Sequence, residues 1–287
     1  MRAAPTLALF AGAVAIATAP ILVRWSETGP LATAFWRVLL SLPVAWVWWR
    51  SQRRTATPAA EAKRSCTILL WTGLFFAGDL GVWHVSLLLT PVANSTLLVN
   101  TAPFFVTLGG WWLFRQHVRP LFWLAMLVAF LGASLMVQAS FSVHPRRLAG
   151  DGLAVVAAVS YAGYILAVSR ARLAWPTAGI MFFGGSVTCA ALLPVVLLAG
   201  ERVWPKGTAG WLTLAALAAV PQLVGQSLIT FALAHLPASF SSVGLLVQPV
   251  LAALFAWMVL NEAIAPLQAL GGLTVLAGIA LARRAQG

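Results

Sequence analysis

The sequence predicts an all-α integral membrane protein whose ten transmembrane helices form two inverted five-helix repeats. Hydrophobic residues make up 61% of the 287-residue chain, charged residues make up 8%, and the mean hydropathy is +0.92. A soluble domain carries about 25% charged residues, so this chain has too few charges to cover a water-exposed surface. The apolar residues also fall into long runs, and the second half of the chain repeats features of the first.

Each of the ten apolar runs is close to the length that crosses a bilayer. A hydrocarbon core of about 30 Å requires about 20 apolar residues in a helix. The first run is interpreted as a helix rather than a cleaved signal peptide, because Pro20 would directly follow the cleavage site. The predicted spans are 5–23, 31–49, 66–89, 93–113, 121–139, 150–169, 177–199, 211–234, 239–260 and 267–282.

The distribution of basic residues predicts the orientation of the chain. With a cytoplasmic N-terminus, the inner segments hold twelve Lys and Arg residues, the outer loops hold five, and Arg37 lies inside a span. Basic residues accumulate on the cytoplasmic side of membrane proteins. We therefore expect a multi-pass protein of the cell's cytoplasmic or inner membrane with both termini in the cytoplasm. The net charge of +12 then reflects orientation in the lipid bilayer and not binding of nucleic acid.

An internal repeat divides the chain into residues 1–145 and residues 146–287. A shift of 146 residues superimposes four pairs of prolines without a gap: Pro30 and Pro176, Pro91 and Pro237, Pro103 and Pro249, and Pro120 and Pro266. Proline is scarce enough for these coincidences to indicate duplication. Because each repeat has five spans, the second enters the membrane from the opposite side. This arrangement is typical of secondary transporters, with the substrate site near the bilayer centre between the repeats.

Two of the paired prolines, Pro103 and Pro249, fall near the middle of spans four and nine. A proline there frees a backbone carbonyl group and bends the helix. Matched broken helices in two repeats indicate a binding site. The alternative is that both prolines are tolerated kinks without a functional role.

Arg37 and Asp79 are the two charged residues that lie clearly inside predicted spans. At 1.5 Å per residue, Arg37 lies about 9 Å and Asp79 about 15 Å below the outer ends of their spans. Charges at such depths face a partner, a cavity or a transport pathway. The pair is interpreted either as an ion pair that joins spans two and three or as a group that handles substrate or protons. Arg37 also has the length to extend to the interface.

Polar and aromatic residues recur at helical spacing on spans three, four, six, eight and nine. Any one such stripe is more typical of hydrogen bonds between helices, but five stripes favour a shared polar cavity. Aromatic rings suit an apolar side chain, Asp79 suits an amino group, and the amides suit a carboxylate or an amide. His84 is interpreted as a ligand or proton carrier, or as a satisfied core residue. The candidate substrate-binding residues are Asp79, Trp83, His84, Asn100, Tyr161, Tyr164, Gln226 and Gln248.

Several signatures of other functions are missing from the sequence. It contains no GxxxxGK[ST] motif, which argues against direct use of ATP. Its two cysteines are 123 residues apart without a CxxC pair, and it has no evident arrangement of nucleophile and base. We therefore expect neither an enzyme nor a bound metal or cofactor, and a membrane-embedded enzyme is the alternative from another class. The sequence leaves the oligomeric state open.

The chain resembles the EamA branch of the drug/metabolite transporter superfamily. The resemblance covers nearly the whole chain and rests on ten spans, two halves, and the segments Phe35-Trp36-Arg37, Leu98 to Pro103, Leu246-Val247-Gln248-Pro249 and Leu260-Asn261-Glu262. In this family the glutamate after span nine often has a partner after span four. Gln116 stands at that position here, which argues against Glu262 as a coupling residue.

The resemblance implies a small-molecule substrate and alternating access through a central cavity. The Asp79, Trp83 and His84 group is similar to that of bacterial exporters of amino acids, particularly aromatic ones. The alternative within the family is a transporter of drugs, sugars or nucleotide-linked compounds. Anionic nucleotides would require a cluster of Lys or Arg residues, and Arg37 is the only Lys or Arg within the predicted spans.

Overall fold

The computed structural model describes residues 3–53, 66–90, 95, 98–115, 118–137, 145–260 and 264–285. This part of the chain is helical, and no β-strand occurs in it. The helices before residue 140 are α1 (Ala3–Ala17), α2 (Ala19–Arg24), α3 (Pro30–Leu39), α4 (Leu42–Arg53), α5 (Thr67–Leu89), α6 (Ala102–Phe114) and α7 (Pro120–Val137).

The second half of the chain contains helices of two kinds. The α-helices are α8 (Pro145–Ala171), α9 (Thr177–Gly179), α10 (Gly185–Leu198), α11 (Thr208–Leu217), α12 (Gln226–Ala232), α13 (Ala238–Gly244), α14 (Val247–Leu260) and α15 (Pro266–Arg284). Two π-helical segments, Ile180–Gly184 and Ala218–Gly225, continue α9 into α10 and α11 into α12. A π-turn interrupts the regular bonding of an α-helix and often marks a functional position.

Eight helices in the described part are long and apolar enough to cross a membrane. They correspond to predicted spans one to three and six to ten. Helices Ala102–Phe114 and Pro120–Met136 are apolar but shorter, and they coincide with predicted spans four and five. Residues 93, 94, 96, 97, 138 and 139 of those two spans lie outside the described residues. The chain is therefore a multi-pass membrane protein that is helical throughout its described spans.

Prolines mark the starts of several helices. Pro30, Pro120, Pro145 and Pro266 are each the first residue of a helix. The first N–H groups of a helix have no acceptor within it, so the missing N–H of proline is tolerated there. The same local preference therefore begins helices in both halves of the chain.

The helices bearing Pro103 and Pro249 are broken just before these residues. Asn100 and Thr101 form a turn before α6, in which Pro103 is the second residue. Leu245 and Leu246 separate α13 from α14, in which Pro249 is the third residue. Both prolines thus lie in the first turn of a new helical segment, where φ near −65° is favourable and no N–H is required.

The described helices form two compact units. Unit one comprises Met1–Gly81 and Ala167–His235, and unit two comprises Val82–Leu166 and Leu236–Gly287. Each unit therefore takes residues from both halves of the sequence.

In unit one, two carboxylates hold the loops before α3 and α11. Glu201 Oε1 accepts a hydrogen bond of 2.6 Å from the N–H of Ala32 in the first turn of α3. Glu27 Oε2 accepts hydrogen bonds of 2.7 and 3.2 Å from the N–H groups of Lys206 and Gly207, which directly precede α11. A negative charge at a helix N-terminus interacts favourably with the free N–H groups and the helix dipole.

A tryptophan of α3 strengthens the same contact between α3 and the chain before α11. Trp36 Nε1 donates a 2.7 Å hydrogen bond to the carbonyl group of Val203. The Trp36 ring centroid lies 5.0 Å from that of Trp204 and 5.1 Å from that of Trp211. Aromatic contacts at these distances add to the hydrophobic stabilisation. The starts of α3 and α11 are thus joined by side-chain and backbone contacts.

In unit two, glycines allow α7 and α15 to pack backbone against backbone. A Cβ atom at Gly271 would lie 2.6 Å from the carbonyl oxygen of Gly132. A Cβ atom at Gly278 would lie 2.5 Å from the backbone nitrogen of Ala129. Small residues at such crossings permit close packing in membranes, where hydrophobic association contributes little.

Candidate functional site

In unit one, the guanidinium group of Arg37 meets a buried amide inside the predicted membrane region. Arg37 Nε donates a 3.0 Å hydrogen bond to Oε1 of Gln222. Gln222 is 3% exposed and lies in the second π-helical segment, directly after Pro221. A hydrogen bond to a charged donor is about twice as strong as one between neutral groups. The bond therefore fixes one edge of the guanidinium group.

Asp79 belongs to the same unit as Arg37. Its side chain is half-buried on α5, and the positive charge of Arg37 acts on its carboxylate. An uncompensated charge is costly in a low-dielectric interior, so opposite charges stabilise each other there. Both predicted intramembrane charges thus lie in unit one, where Gln222 is a hydrogen-bond partner of Arg37.

More polar side chains follow the second π-helical segment. Gln226 begins α12 and is 4% exposed. Ser227 and Thr230 have hydroxyl groups that are buried and lack a hydrogen-bond partner within the described residues. Buried polar groups are usually paired, so these hydroxyl groups mark a place where a small polar molecule would be stabilised.

In unit two, Trp83 and His84 are in edge-to-face contact on α5. Their ring centroids are 5.0 Å apart with an interplanar angle of 74°, and His84 is buried. The indole Nε1 of Trp83 is buried and has no acceptor within the described residues. The contact fixes the orientation of the indole ring, and its N–H remains a donor for another molecule.

Asn100 and Gln248, also in unit two, lie at the two breaks before the paired prolines. Asn100 is in the turn before α6, and Gln248 is in the first turn of α14. Asn100 Nδ2 and Gln248 Nε2 are buried donors without a partner in the described part of the chain. The first turn of a helix also presents unpaired N–H groups. Both breaks therefore offer donors to an acceptor oxygen.

Tyr161 and Tyr164 lie close together on α8 in unit two. Their ring centroids are 6.3 Å apart with an interplanar angle of 17°, and Tyr164 is buried. Parallel aromatic faces at this distance match an offset-stacked arrangement and favour apolar or aromatic groups.

Three functional or supporting residues were missed at the sequence level. Gln222 lies in predicted span eight, but no local pattern indicates that a residue 185 positions after Arg37 is its hydrogen-bond partner. Glu27 and Glu201 lie in short loops, and only the folded chain brings them to the helix starts. An acidic residue just before a helix is the one signal in the sequence, and it suggests a cap on its own helix.

A family model decides the family of the chain. The model described as the EamA-like transporter family matches residues 4–138 and again residues 148–284. The chain belongs to the EamA-like transporter family. This EamA-like transporter is therefore a membrane transport protein, and the names of the family and its relatives denote transporters rather than enzymes.

Curated relatives match most of this EamA-like transporter. It is 27% identical to an uncharacterized transporter of Archaeoglobus fulgidus over 91% of this chain and 90% of the relative. It is 29% identical to the pseudopaline exporter CntI of Pseudomonas aeruginosa over 79% of each chain. It is 27% identical to the threonine/homoserine exporter RhtA of Escherichia coli K12, over 73% of this chain and 68% of that protein.

A solved crystal structure has the same fold as this EamA-like transporter. The two align with a TM-score of 0.84 over 100% of both chains. At 20% sequence identity the likeness concerns the fold alone.

Proposed function

We propose that this EamA-like transporter exports small metabolites across the cytoplasmic or inner membrane, and that amino acids, including aromatic ones, are its substrates. Transport proceeds by alternating access through a central cavity between the two predicted inverted repeats, with both termini in the cytoplasm. Ten transmembrane helices would provide this arrangement. The names of the relatives CntI and RhtA support export, and the name of RhtA supports amino acids.

The observation that carries the proposal is the set of unpartnered buried donors in unit two. Trp83 Nε1, Asn100 Nδ2 and Gln248 Nε2 have no acceptor within the described residues. An unpaired buried donor is destabilising by about 1–3 kcal/mol, so a ligand with acceptor oxygens recovers that free energy. Small metabolites with polar oxygen atoms, amino acids among them, supply such acceptors.

The remaining candidate residues provide complementary chemistry. Tyr161 and Tyr164 offer aromatic faces to an apolar or aromatic side chain, and His84 supports the ring of Trp83. Asp79 provides a carboxylate for an ammonium group, and it is one helical turn from Trp83 on α5. Gln226 supplies an amide with both a donor and an acceptor.

The proposal is tested by transport in proteoliposomes with radiolabelled L-phenylalanine and L-threonine, with and without a pH gradient. We expect the flux to saturate with concentration and to be inhibited by competing unlabelled amino acids. Asn100→Leu and Gln248→Met, which keep the approximate size of each side chain, are expected to reduce the flux at least about tenfold, since each removes a buried donor. Faster flux in the presence of the pH gradient would show that transport is also coupled to protons.

Ser134→Ala is the matched control in unit two, since the Ser134 hydroxyl already donates to the carbonyl group of Phe130 in its own helix. It is expected to retain wild-type flux. If the wild-type protein transports no amino acid, the substrate class is wrong, and drugs, sugars and nucleotide-linked compounds become the substrates to test. If Asn100→Leu and Gln248→Met fold normally and transport at the wild-type rate, the site assignment is wrong.

A further inference from the structure

In unit one, the helices that carry Arg37 and Asp79 pack against the same neighbour, α10. Val38, next to Arg37, has Cγ1 at 3.5 Å from the Cβ position of Gly185, the first residue of α10. On the side of α5, Leu192 Cδ2 lies 3.3 Å from the Cβ position of Gly81. The shared neighbour places both charged residues beside one helix.

The contacts also give the directions of these helices. Val38 meets Gly185, whereas Trp49, further along the same span, meets Phe182 and Phe183, so this span runs antiparallel to the segment containing α10.

Gly73 of α5 contacts Val187 of α10, and Gly81, further along α5, contacts Leu192, further along α10. The two helices therefore run parallel. Arg37 lies one residue before Val38, which contacts Gly185. Asp79 lies two residues before Gly81, which contacts Leu192. Along the α10 axis the two charged residues are therefore roughly four residues, or about 6 Å, apart.

Further hydrogen bonds hold the helix that carries Asp79 and the side chain of Arg37. Thr188 Oγ1 donates a 3.0 Å hydrogen bond to the carbonyl group of Gly73, which fixes α5 against α10. Gln222 accepts the 3.0 Å hydrogen bond from Arg37 Nε and fixes the orientation of the guanidinium group. A hydrogen bond therefore anchors each of the two helices that carry the charged residues.

We infer that Arg37 and Asp79 together bind the zwitterionic backbone of the substrate, with the substrate carboxylate on the guanidinium group and its ammonium group on the Asp79 carboxylate. Gln222 is a positioning residue for Arg37. This inference rests on the proposed function and adds to it the charge class of the substrate. It also gives Arg37 a role in binding as well as in holding the helices together.

Charge balance in the membrane supports the inference. A zwitterion brings one charge of each sign, so it adds no net charge to this region of unit one. A cationic amine or an anionic acid leaves one uncompensated charge in a low-dielectric region, which is strongly unfavourable. The guanidinium group also matches a carboxylate geometrically, because it can donate two parallel hydrogen bonds.

The inference is tested by calorimetric binding to the purified full-length protein in lipid nanodiscs. The three probes share one aromatic side chain: L-phenylalanine is zwitterionic, phenethylamine is cationic and 3-phenylpropionate is anionic at pH 7. The wild-type protein is expected to bind phenylalanine at least about tenfold more tightly than either analogue. Asp79→Asn is expected to shift the preference to 3-phenylpropionate, and Arg37→Gln is expected to shift it to phenethylamine.

Two further variants complete the design. The double variant Arg37→Gln/Asp79→Asn keeps the region neutral, so it remains informative if either single variant fails to fold, and it is expected to lose the preference for the zwitterion. Arg202→Gln removes an exposed positive charge from the same unit and is expected to keep the wild-type preference.

The outcomes separate this inference from the proposed function. If the wild-type protein neither binds phenylalanine nor transports any amino acid, the proposed function fails. If it transports phenylalanine but binds all three probes equally, or if the double variant keeps the preference for the zwitterion, the inference alone is overturned.

Discussion

Glu27 and Glu201 each cap the helix that follows the other. Glu201 accepts a hydrogen bond at the start of α3, which follows Glu27, and Glu27 accepts hydrogen bonds just before α11, which follows Glu201. Two short loops separated by more than 160 residues in the sequence therefore depend on each other for their structure. The arrangement also explains why a Cβ atom at Gly210 would lie only 2.6 Å from Glu27 Oε2.

The reciprocal caps predict non-additive effects of mutation. Glu27→Ala and Glu201→Ala are each expected to reduce the free energy of unfolding by about 1 kcal/mol, the usual value of a helix cap. The double variant is expected to lose less than the sum, because both residues stabilise one joint. Thermal unfolding in detergent micelles measures the effect.

Lys206→Ala serves as the control for these caps, because only the backbone N–H of Lys206 donates to Glu27. It is expected to unfold at the wild-type temperature. Strict additivity of the two glutamate substitutions would contradict the reciprocal arrangement.

The carboxyl group of Glu201 predicts a dependence of stability on pH. Burial raises the pKa of this carboxyl group, and the hydrogen bond from the Ala32 N–H opposes the shift without reversing it. The folded protein thus holds the proton more tightly than the unfolded chain, so this contribution to stability falls as the pH rises from the ordinary pKa of glutamate through the raised one.

Glu201→Gln keeps an acceptor oxygen and removes the charge, so it is expected to flatten this part of the pH profile of the unfolding temperature. Its advantage over the wild-type protein is largest above the raised pKa. Glu201→Ala, which removes the acceptor as well, is expected to lose stability at every pH. Parallel pH profiles for Glu201→Gln and the wild-type protein would refute the assignment.

The close crossing of α7 and α15 predicts opposite results at two adjacent glycines. Gly271→Ala places a methyl group 2.6 Å from the Gly132 carbonyl oxygen, so it is expected to separate the helices and lower the unfolding temperature, at a loss of about 1–3 kcal/mol. Gly272→Ala has its nearest neighbour, Val250 Cγ1, at an ordinary 3.5 Å. It is expected to be neutral or stabilising by up to about 1 kcal/mol, because alanine favours a helix. Equal effects at both positions would show that the crossing is looser than described.

The contact between Arg37 and Gln222 predicts a loss of both stability and transport. Gln222→Leu removes the acceptor of a charged donor, so the free energy of unfolding is expected to fall by about 1.5–3 kcal/mol. Thr213→Val is the control on α11, because its hydroxyl group is exposed and bonds within its own helix. Thermal unfolding and phenylalanine uptake measured on both variants check the prediction, and an unchanged unfolding temperature for Gln222→Leu would count against it.

The sequence predicted those parts of the structure that depend on local composition and spacing. Hydrophobic length located the eight described helices that are long enough to cross a membrane, and the scarcity of proline revealed the breaks before Pro103 and Pro249. It also identified Arg37 and Asp79 as charges inside spans, and both residues lie within candidate membrane-spanning helices of unit one.

Contacts between distant segments were beyond the reach of these patterns. The bond from Arg37 to Gln222 and the cap of Ala32 by Glu201 join residues more than 160 positions apart. Such pairs depend on how the helices pack, and a periodicity of 3.6 residues carries no information about partners. The π-helical segments were missed for a related reason, because a window that tests for hydrophobic length is insensitive to one extra residue per turn.

Both π-helical segments lie in the second half of the chain. At the offset of 146 residues, Ile180–Gly184 corresponds to residues 34–38 and Ala218–Gly225 to residues 72–79, and these first-half positions are α-helical in α3 and α5. The duplicated halves therefore differ in backbone geometry where their sequences align without a gap. We therefore expect that a transport cycle in which the two halves exchange roles has end states of unequal free energy, because the backbone of the second half differs from that of the first.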